Sequence, residues 1–363
     1  MVKAAVLYEQ KSPLVVEDVE LDDPKAGEVL VKIGAAGVCR SDRHYMHGDA
    51  PTLLPVVLGH EGAGTVEAVG PGVTSVRPGQ QVILSFVSSC GRCKSCITGN
   101  SHLCDTHAAA GAFMFDGTTR LHKGDTRIHH FGKTACFAEY SVMPEAAVVP
   151  IDSNIGMDIA ALIGCCVPTG VGAVISSANV QPGSTVAVIG CGGVGLNAIQ
   201  GARLAGALRI IAIDAVEDKL TLAREFGATD VIDASGGDVE KKVKDLTGGG
   251  VDYSFEAIGK KETAELSFEI LRAGGTATII GMIPLGTKIE LDGYAFLRER
   301  RIQGSSMGSN HFRVDMPRYI DFYLQGRLKL DELVTKRLKL EDINDAFKFM
   351  KEGSVARSVM MFD

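Results

Sequence analysis

The stretch from Thr185 to Asp214 constrains this chain more than any other. A short apolar strand, Thr185-Val186-Ala187-Val188-Ile189, runs straight into Gly190-Cys191-Gly192-Gly193-Val194-Gly195, which satisfies G-x-G-x-x-G. A helical pattern from Val194 to Ala205 follows, with small residues at Val194, Ala198, Ala202 and Ala205 on one face. A second strand, Arg209-Ile210-Ile211-Ala212-Ile213, then ends at Asp214. Strand, glycine turn, helix and strand make a βαβ unit, which commits the chain to a parallel sheet. Gly190 suits the tight turn, Gly192 lets the backbone approach a pyrophosphate, and Gly195 allows close helix packing. The free N–H groups of the helix start, at Gly193 and Val194, would face the phosphates. Asp214 sits where a carboxylate accepts from both ribose hydroxyls and repels a 2′-phosphate, so the predicted cofactor is NAD rather than NADP.

The alternation continues beyond Asp214. Helical patterns around Val216 to Phe226, Asp238 to Leu246 and Thr263 to Leu271 are interleaved with strands at Asp230 to Ile232, Asp252 to Ala257 and Thr276 to Ile280. Such repetition calls for an α/β domain whose doubly wound parallel sheet is covered on both faces. The first 150 residues read differently, as many short β segments with Pro71-Gly72 and Pro78-Gly79 turns, hence as a separate, mostly β domain. From about Ser306 the tail carries an amphipathic helix, Ile343 to Met350, and a last strand, Val359 to Phe362, expected to return to the first domain.

Composition excludes several classes of function. The 363 residues are 45% hydrophobic and 22% charged with a formal net charge of -7, the profile of a folded globular chain. No Lys/Arg cluster interleaved with aromatics offers a nucleic-acid or anionic-membrane surface. Ile159 to Ala202 contains no Asp, Glu, Lys or Arg, yet Pro168, Pro182 and many glycines interrupt it before any run reaches the roughly 20 apolar residues of a spanning helix. It reads as a buried junction. Nine cysteines, an odd number, in a chain that opens on a strand-like Met1-Val2-Lys3-Ala4-Ala5-Val6-Leu7 predict reduced thiols and a cytoplasmic location.

Four of those cysteines, Cys90, Cys93, Cys96 and Cys104, follow C-x2-C-x2-C-x7-C, a spacing that lets thiolates converge on one tetrahedral ion. A structural zinc is the expectation. The alternatives are a disulfide knot, which needs an oxidising compartment, and an iron-sulfur cluster, which needs an electron path. Cys39 in Gly37-Val38-Cys39-Arg40-Ser41-Asp42, His60 in Gly59-His60-Glu61, and Cys165 in Gly164-Cys165-Cys166 would make a second zinc site. Its two thiolates and one imidazole would leave the fourth position open. Spacing alone does not join them, since a lone Cys or His is commonly a packed core residue.

Taken together and in order, these elements resemble the zinc-dependent alcohol dehydrogenases of the medium-chain dehydrogenase/reductase superfamily, over essentially the whole chain. The resemblance implies a GroES-like catalytic domain at residues 1–166, with a structural-zinc lobe at about 88–106 and completion by 307–363. A Rossmann domain would occupy 167–306. It implies two zinc ions per subunit, the catalytic one on Cys39, His60 and Cys165, with Cys166 as second choice for the third ligand. Arg40 and Arg357 match positions that contact the cofactor pyrophosphate, Lys219 one near the adenosine ribose, and Thr169 one on the nicotinamide side. The segment Gly117-Thr118-Thr119-Arg120 through Ile128-His129-His130-Phe131 is similar to the long loop of the dimeric branch, so a homodimer is expected, with a homotetramer as the alternative.

The chemistry follows from the groups. A zinc ion with an open position stabilises an alkoxide as it does the hydroxide of bound water. Ser41 resembles the hydroxyl that accepts the alcohol proton, and His44, three residues on, lies on the same side of a helical turn. Asp42 is placed to accept from the free nitrogen of His60, and Glu61 to lie near the metal. Phe86, Ala109, Phe131, Met282 and Ser306 match pocket positions and suit a medium-sized, mainly apolar alcohol, primary or secondary. The glutathione-dependent formaldehyde dehydrogenases of the same scaffold use an arginine after the zinc lobe. Here that neighbourhood reads His107-Ala108-Ala109-Ala110, which makes a thiol-dependent formaldehyde dehydrogenase the lesser reading. Two others are a dehydrogenase that recycles tightly held NAD with an external acceptor, and a non-enzymatic NAD-binding structural protein.

Overall fold

The computed structural model describes residues 1–152, 154–353 and 355–363, and the chain divides into two compact units, Met1–Cys165 with His311–Asp363, and Cys166–Asn310.

In the first unit, strands Val2–Leu7, Val15–Leu21, Leu121–Lys123, Thr126–His130 and Val56–Val57 close into a barrel. A seven-stranded sheet runs in the order Val148–Pro150, Gln81–Leu84, Glu61–Val69, Glu28–Gly37, Arg357–Met361, Val334–Leu338, with Tyr140–Pro144 also paired to Glu28–Gly37. The strand Glu28–Gly37 is central because Val29, Val31 and Ile33, two apart, all lie on its buried face. Register then sets up the chemistry. Gly37 stands opposite Glu61 in the antiparallel pair, so Cys39, just past one strand, and His60, just before the other, emerge at the same end. The last strand, Arg357–Met361, pairs Val359 with Gly37 and brings Arg357 to that end too.

The segment from Gly117 to Phe131 contains a hairpin of the barrel, in which Leu121 and Ile128 point inward and are fully buried. Arg120 is also fully buried and donates to Glu28 through Nε at 2.8 Å and Nη2 at 2.5 Å. Its Nη2 also donates to Asp116 Oδ2 at 2.9 Å, so the buried guanidinium is paired with two carboxylates. The tail also contains the α-helix Phe312–Leu324, ahead of the amphipathic Ile343–Glu352.

In the second unit six parallel strands follow the order Asp230–Asp233, Arg209–Asp214, Thr185–Ile189, Val251–Glu256, Leu271–Ile279, Arg301–Gly304. Numbered within the unit this is 3-2-1-4-5-6, the doubly wound dinucleotide-binding order. Helices Gly193–Leu204, Glu217–Glu225, Val239–Thr247 and Lys261–Glu269 alternate with the strands. The charge-free stretch breaks into helix Met157–Leu162, helical segments Cys166–Gly172 and Ala173–Ser177, strand Thr185–Ile189 and helix Gly193–Leu204. Among the described residues no helix is long and apolar enough to cross a membrane.

Candidate functional site

Cys39 ends the extended segment and caps the N-terminus of helix Arg40–His47, whose third residue is Asp42. That position lets one Asp42 oxygen accept the Cys39 backbone N–H at 3.1 Å, while the other faces His60 Nδ1 at 3.0 Å and accepts the Gly59 N–H at 3.1 Å. A carboxylate opposite Nδ1 holds the proton there and leaves Nε2 as the metal-binding nitrogen. Cys39, His60 and Cys165 are all buried, and each offers a ligand atom within 4.8 Å of the other two. Two sulfurs and one imidazole suit a borderline-soft ion such as zinc, with a fourth tetrahedral position left for a small oxygen ligand. The electrostatics agree. Cys39 is held well below the ordinary thiol range, first by a hydrogen bond from Cys165, with the charges of Arg357 and His60 acting in the same direction.

Around this cluster, Arg357 Nη2 lies 3.4 Å from Glu61 Oε2 and 3.9 Å from Cys39 Sγ, and its Nη1 donates to the Val38 carbonyl at 3.2 Å. Arg357 is buried at the cluster, whereas Arg40 is exposed at the helix start. Ser41 Oγ is 3.6 Å from Cys39 Sγ. His44, on the buried face of the same helix, sits with Nδ1 2.7 Å from Asp49 Oδ2. Phe86 and Phe131 stand edge-on to the His60 ring at 5.2 Å and 5.4 Å between centroids, and Tyr45 packs on Phe131 at 4.5 Å. Ala109 is exposed on the short helix Asp105–Ala110, whose His107 stands edge-on to Phe86 at 5.8 Å.

The four remaining ligand candidates, Cys90, Cys93, Cys96 and Cys104, also bring their sulfurs within 4.8 Å of one another. Backbone N–H groups of Cys90 and His107 point at Cys104 Sγ at 3.3 Å and 3.4 Å, and that of Cys93 at Cys90 Sγ at 3.3 Å. Such donors favour thiolates. The Thr106 hydroxyl is the largest influence on Cys90, which is pushed down to about 6, while burial and its neighbours push Cys96 up to about 12. Four sulfurs this close ionise together only around a cation, which is what a closed zinc site supplies.

In the second unit, Gly192 caps helix Gly193–Leu204, and a side chain added there would meet nothing within 4 Å, so this face of the turn is open to a ligand. Gly195 is forced on packing grounds, since a Cβ would come 1.8 Å from the Gly190 carbonyl oxygen. Asp214 closes the second strand, with Oδ2 accepting the Cys191 N–H at 2.8 Å and Oδ1 the Val216 N–H at 3.1 Å. It therefore fixes the glycine turn from the end of the neighbouring strand. An open turn at a helix N-terminus beside a carboxylate fits a dinucleotide. Lys219 lies in helix Glu217–Glu225, Thr169 Oγ1 is 3.7 Å from Met307 Sδ, Met282 is half-buried and Ser306 exposed.

An alcohol dehydrogenase GroES-like domain model matches residues 25–153, and a zinc-binding dehydrogenase model residues 193–325. A relative from Schizosaccharomyces pombe, named probable S-(hydroxymethyl)glutathione dehydrogenase 1, is 41% identical over 99% of this chain and 96% of its own length. The chain belongs to the zinc-dependent alcohol dehydrogenase family of the medium-chain superfamily. Among solved structures, an alcohol dehydrogenase zinc-binding domain protein from Burkholderia ambifaria is 35% identical with a TM-score of 0.94. Benzyl alcohol dehydrogenase from Acinetobacter calcoaceticus is 32% identical with a TM-score of 0.95, and both comparisons cover 100% of this chain and 99% of the other.

Four residues of this family member escaped the sequence reading. Asp49 and Tyr45 are positioned by the helix that carries Ser41 and His44. Lys133 is fully buried, donates to the His107 and Gly111 carbonyls at 3.0 Å and 2.9 Å, and is pushed down to about 8 by burial. Glu256 Oε1 takes the Ile258 and Gly259 N–H groups and the Thr263 hydroxyl at the end of its strand. A turn residue such as Asp after a helix-ending Gly was the one available signal, and it pointed to Asp49.

Proposed function

We propose that the chain is an NAD-dependent alcohol dehydrogenase that reversibly oxidises medium-sized, mainly apolar alcohols, primary or secondary, to aldehydes or ketones. The observation that carries the substrate class is the aromatic wall of Phe86 and Phe131 standing edge-on to His60, which gives the ligand cluster an apolar face. A zinc ion held by Cys39, His60 and Cys165 would supply Lewis-acid stabilisation of the oxygen that gives up its proton. The chain's own groups do the rest. Asp42 orients His60, Ser41 accepts the hydroxyl proton beside Cys39, and His44 receives it one helical turn further on. Arg357 and Glu61 set the charge behind the ligands. Gly190, Gly192, Gly193, Val194 and Gly195 form the pyrophosphate turn and Asp214 selects NAD, with Lys219, Arg40, Arg357 and Thr169 as further cofactor contacts. Cys90, Cys93, Cys96 and Cys104 hold a second, structural zinc, and the assembly is a cytoplasmic homodimer.

The Schizosaccharomyces relative's name favours a second reading, oxidation of S-(hydroxymethyl)glutathione. That substrate carries two carboxylates. His107 to Ala110 offer them no fixed cation, and Lys133 is committed to two carbonyl oxygens in the interior, so the apolar reading ranks first. Purified protein assayed with NAD against benzyl alcohol, straight-chain and secondary alcohols, and formaldehyde with and without glutathione decides between them. Turnover of formaldehyde only when glutathione is present, with apolar alcohols idle, would reverse the ranking.

A further inference from the structure

We infer that Asp49 is a positioning residue of the proton relay, fixing the ring of His44 so that its Nε2 is the nitrogen that accepts the proton. The inference rests on the relay reading of Ser41 and His44 given above, and it adds the group that sets the orientation of the second member.

The placement is built by the end of the helix. Arg40–His47 stops at Gly48, whose φ of 80° puts it in the left-handed region. That reversal folds the chain back, so that the Asp49 N–H donates to the His44 carbonyl at 2.9 Å. The same residue then returns its carboxylate to the same histidine, with Oδ2 2.7 Å from Nδ1. Backbone and side chain of Asp49 thus both terminate on His44. A side chain at Gly48 would be strained in this conformation and would approach Gln10 Oε1 to 2.8 Å, so the turn has little latitude.

A carboxylate accepts and does not donate, so the Nδ1 facing it carries the hydrogen. The neutral ring then has its lone pair on Nε2. His44 is 7% exposed, and without a partner its ring could flip or adopt the other tautomer, presenting an N–H where an acceptor is needed. Asp49 has a side chain 36% exposed, so it lies at the solvent side of the histidine and its removal opens no cavity in the core.

The test uses the full-length zinc-loaded protein with NAD and benzyl alcohol, or the panel alcohol turned over fastest. Asp49→Ala should lower kcat about tenfold, a fraction of the 10²–10⁴ that general acid–base help supplies, with KM for the alcohol, zinc content and melting temperature held. Asp49→Asn, whose amide oxygen can still accept from Nδ1, should recover most of that loss, and added imidazole should partly restore Asp49→Ala. In a His44→Gln background, Asp49→Ala should cost nothing further. An equal loss in both backgrounds, or wild-type kcat in Asp49→Ala where His44→Gln is impaired, overturns the inference alone. Wild-type kcat in His44→Gln overturns the relay reading and takes the inference with it.

Discussion

The carboxylate of Asp42 reaches two members of the candidate metal cluster at once, standing 3.0 Å from the imidazole Nδ1 of His60 and accepting the backbone N–H of Cys39 at 3.1 Å. One side chain therefore sets both the ring tautomer of one ligand and the backbone from which another projects. An Asn in its place keeps one acceptor and turns an NH2 toward groups that are themselves donors. Asp42→Asn should weaken retention of the metal at the Cys39–His60–Cys165 site by about 10–100-fold. A chelator competition, followed by zinc release, reads this directly. Unchanged affinity would mean the ligands hold their geometry without Asp42.

Two thiolate-rich clusters in separate segments should give about two zinc ions per chain. Cys93→Ser should leave about one ion and lower the melting temperature, because the lobe loses the ion that offsets its sulfurs. Cys39→Ser should abolish turnover while the circular dichroism spectrum and melting curve stay close to wild type. Elemental analysis with activity assays checks both, and a reproducible value near one ion in active wild-type protein would refute the two-site reading.

Ser41 Oγ lies 3.6 Å from Cys39 Sγ, the placement that the proposed proton relay requires of its first member. Ser41→Ala should lower kcat by about 10²–10⁴-fold with zinc and NAD still bound, whereas Ser41→Thr should remain active and shift preference toward smaller primary alcohols. Normal turnover of Ser41→Ala would assign the first proton transfer to water.

Asp214 makes the cofactor prediction sharper than the glycine turn alone, because its two oxygens already hold the Cys191 and Val216 N–H groups. Its charge is thereby held in place at the end of the strand, where the proposed ribose reading needs a carboxylate that does not swing away from a 2′-phosphate. Wild type should prefer NAD over NADP, and Asp214→Gly combined with Ala215→Arg should erode that ratio in kcat/KM by at least about tenfold. Asp214→Gly by itself should also weaken NAD, since the turn at Cys191 loses its anchor. Equal wild-type efficiency with both cofactors would show that the ribose is not read here.

What was legible in the sequence is what is local in the chain. The glycine turn, its flanking strands and the four-cysteine lobe each lie within a few dozen residues, so spacing carries their geometry. Cys39, His60 and Cys165 meet only through the pairing of Glu28–Gly37 with Glu61–Val69 and the chain that follows, and no single-sequence periodicity encodes that register. Lys133 and Arg120 look like surface charges in sequence, yet both are fully buried because distant carbonyls and Glu28 satisfy them. The helical segments Cys166–Gly172 and Ala173–Ser177 show no polar face to mark them as helical, since most of their residues are buried. Asp49 depends on a helix-end reversal, a three-dimensional event with only Gly48 as its trace.

The buried histidine of the barrel gives a stability prediction with a definite sign. His130 is fully buried, and its Nε2 accepts the Arg120 backbone N–H at 2.9 Å. Burial, with the nearby charges of Arg120, His129 and Lys133, pushes its pKa down to about 3. Between the ordinary value of 6.5 and about 3, the unfolded chain takes up a proton that the folded chain refuses. Stability from this group is therefore complete above pH 6.5 and is lost as pH falls through that window, at up to about 1.4 kcal/mol per pH unit. His107, also pushed down to about 3 by burial and Lys133, titrates in the same sense. His130→Gln keeps an acceptor for Arg120 but cannot titrate, and His107 is common to both proteins and cancels in their difference. Urea unfolding at intervals from pH 7.5 to 5 should show wild type losing stability faster than His130→Gln, so that their difference shifts steadily toward the variant as acid is added. Parallel curves would mean that His130 already binds its proton in the folded barrel, and that the interior around Arg120 admits a second positive charge.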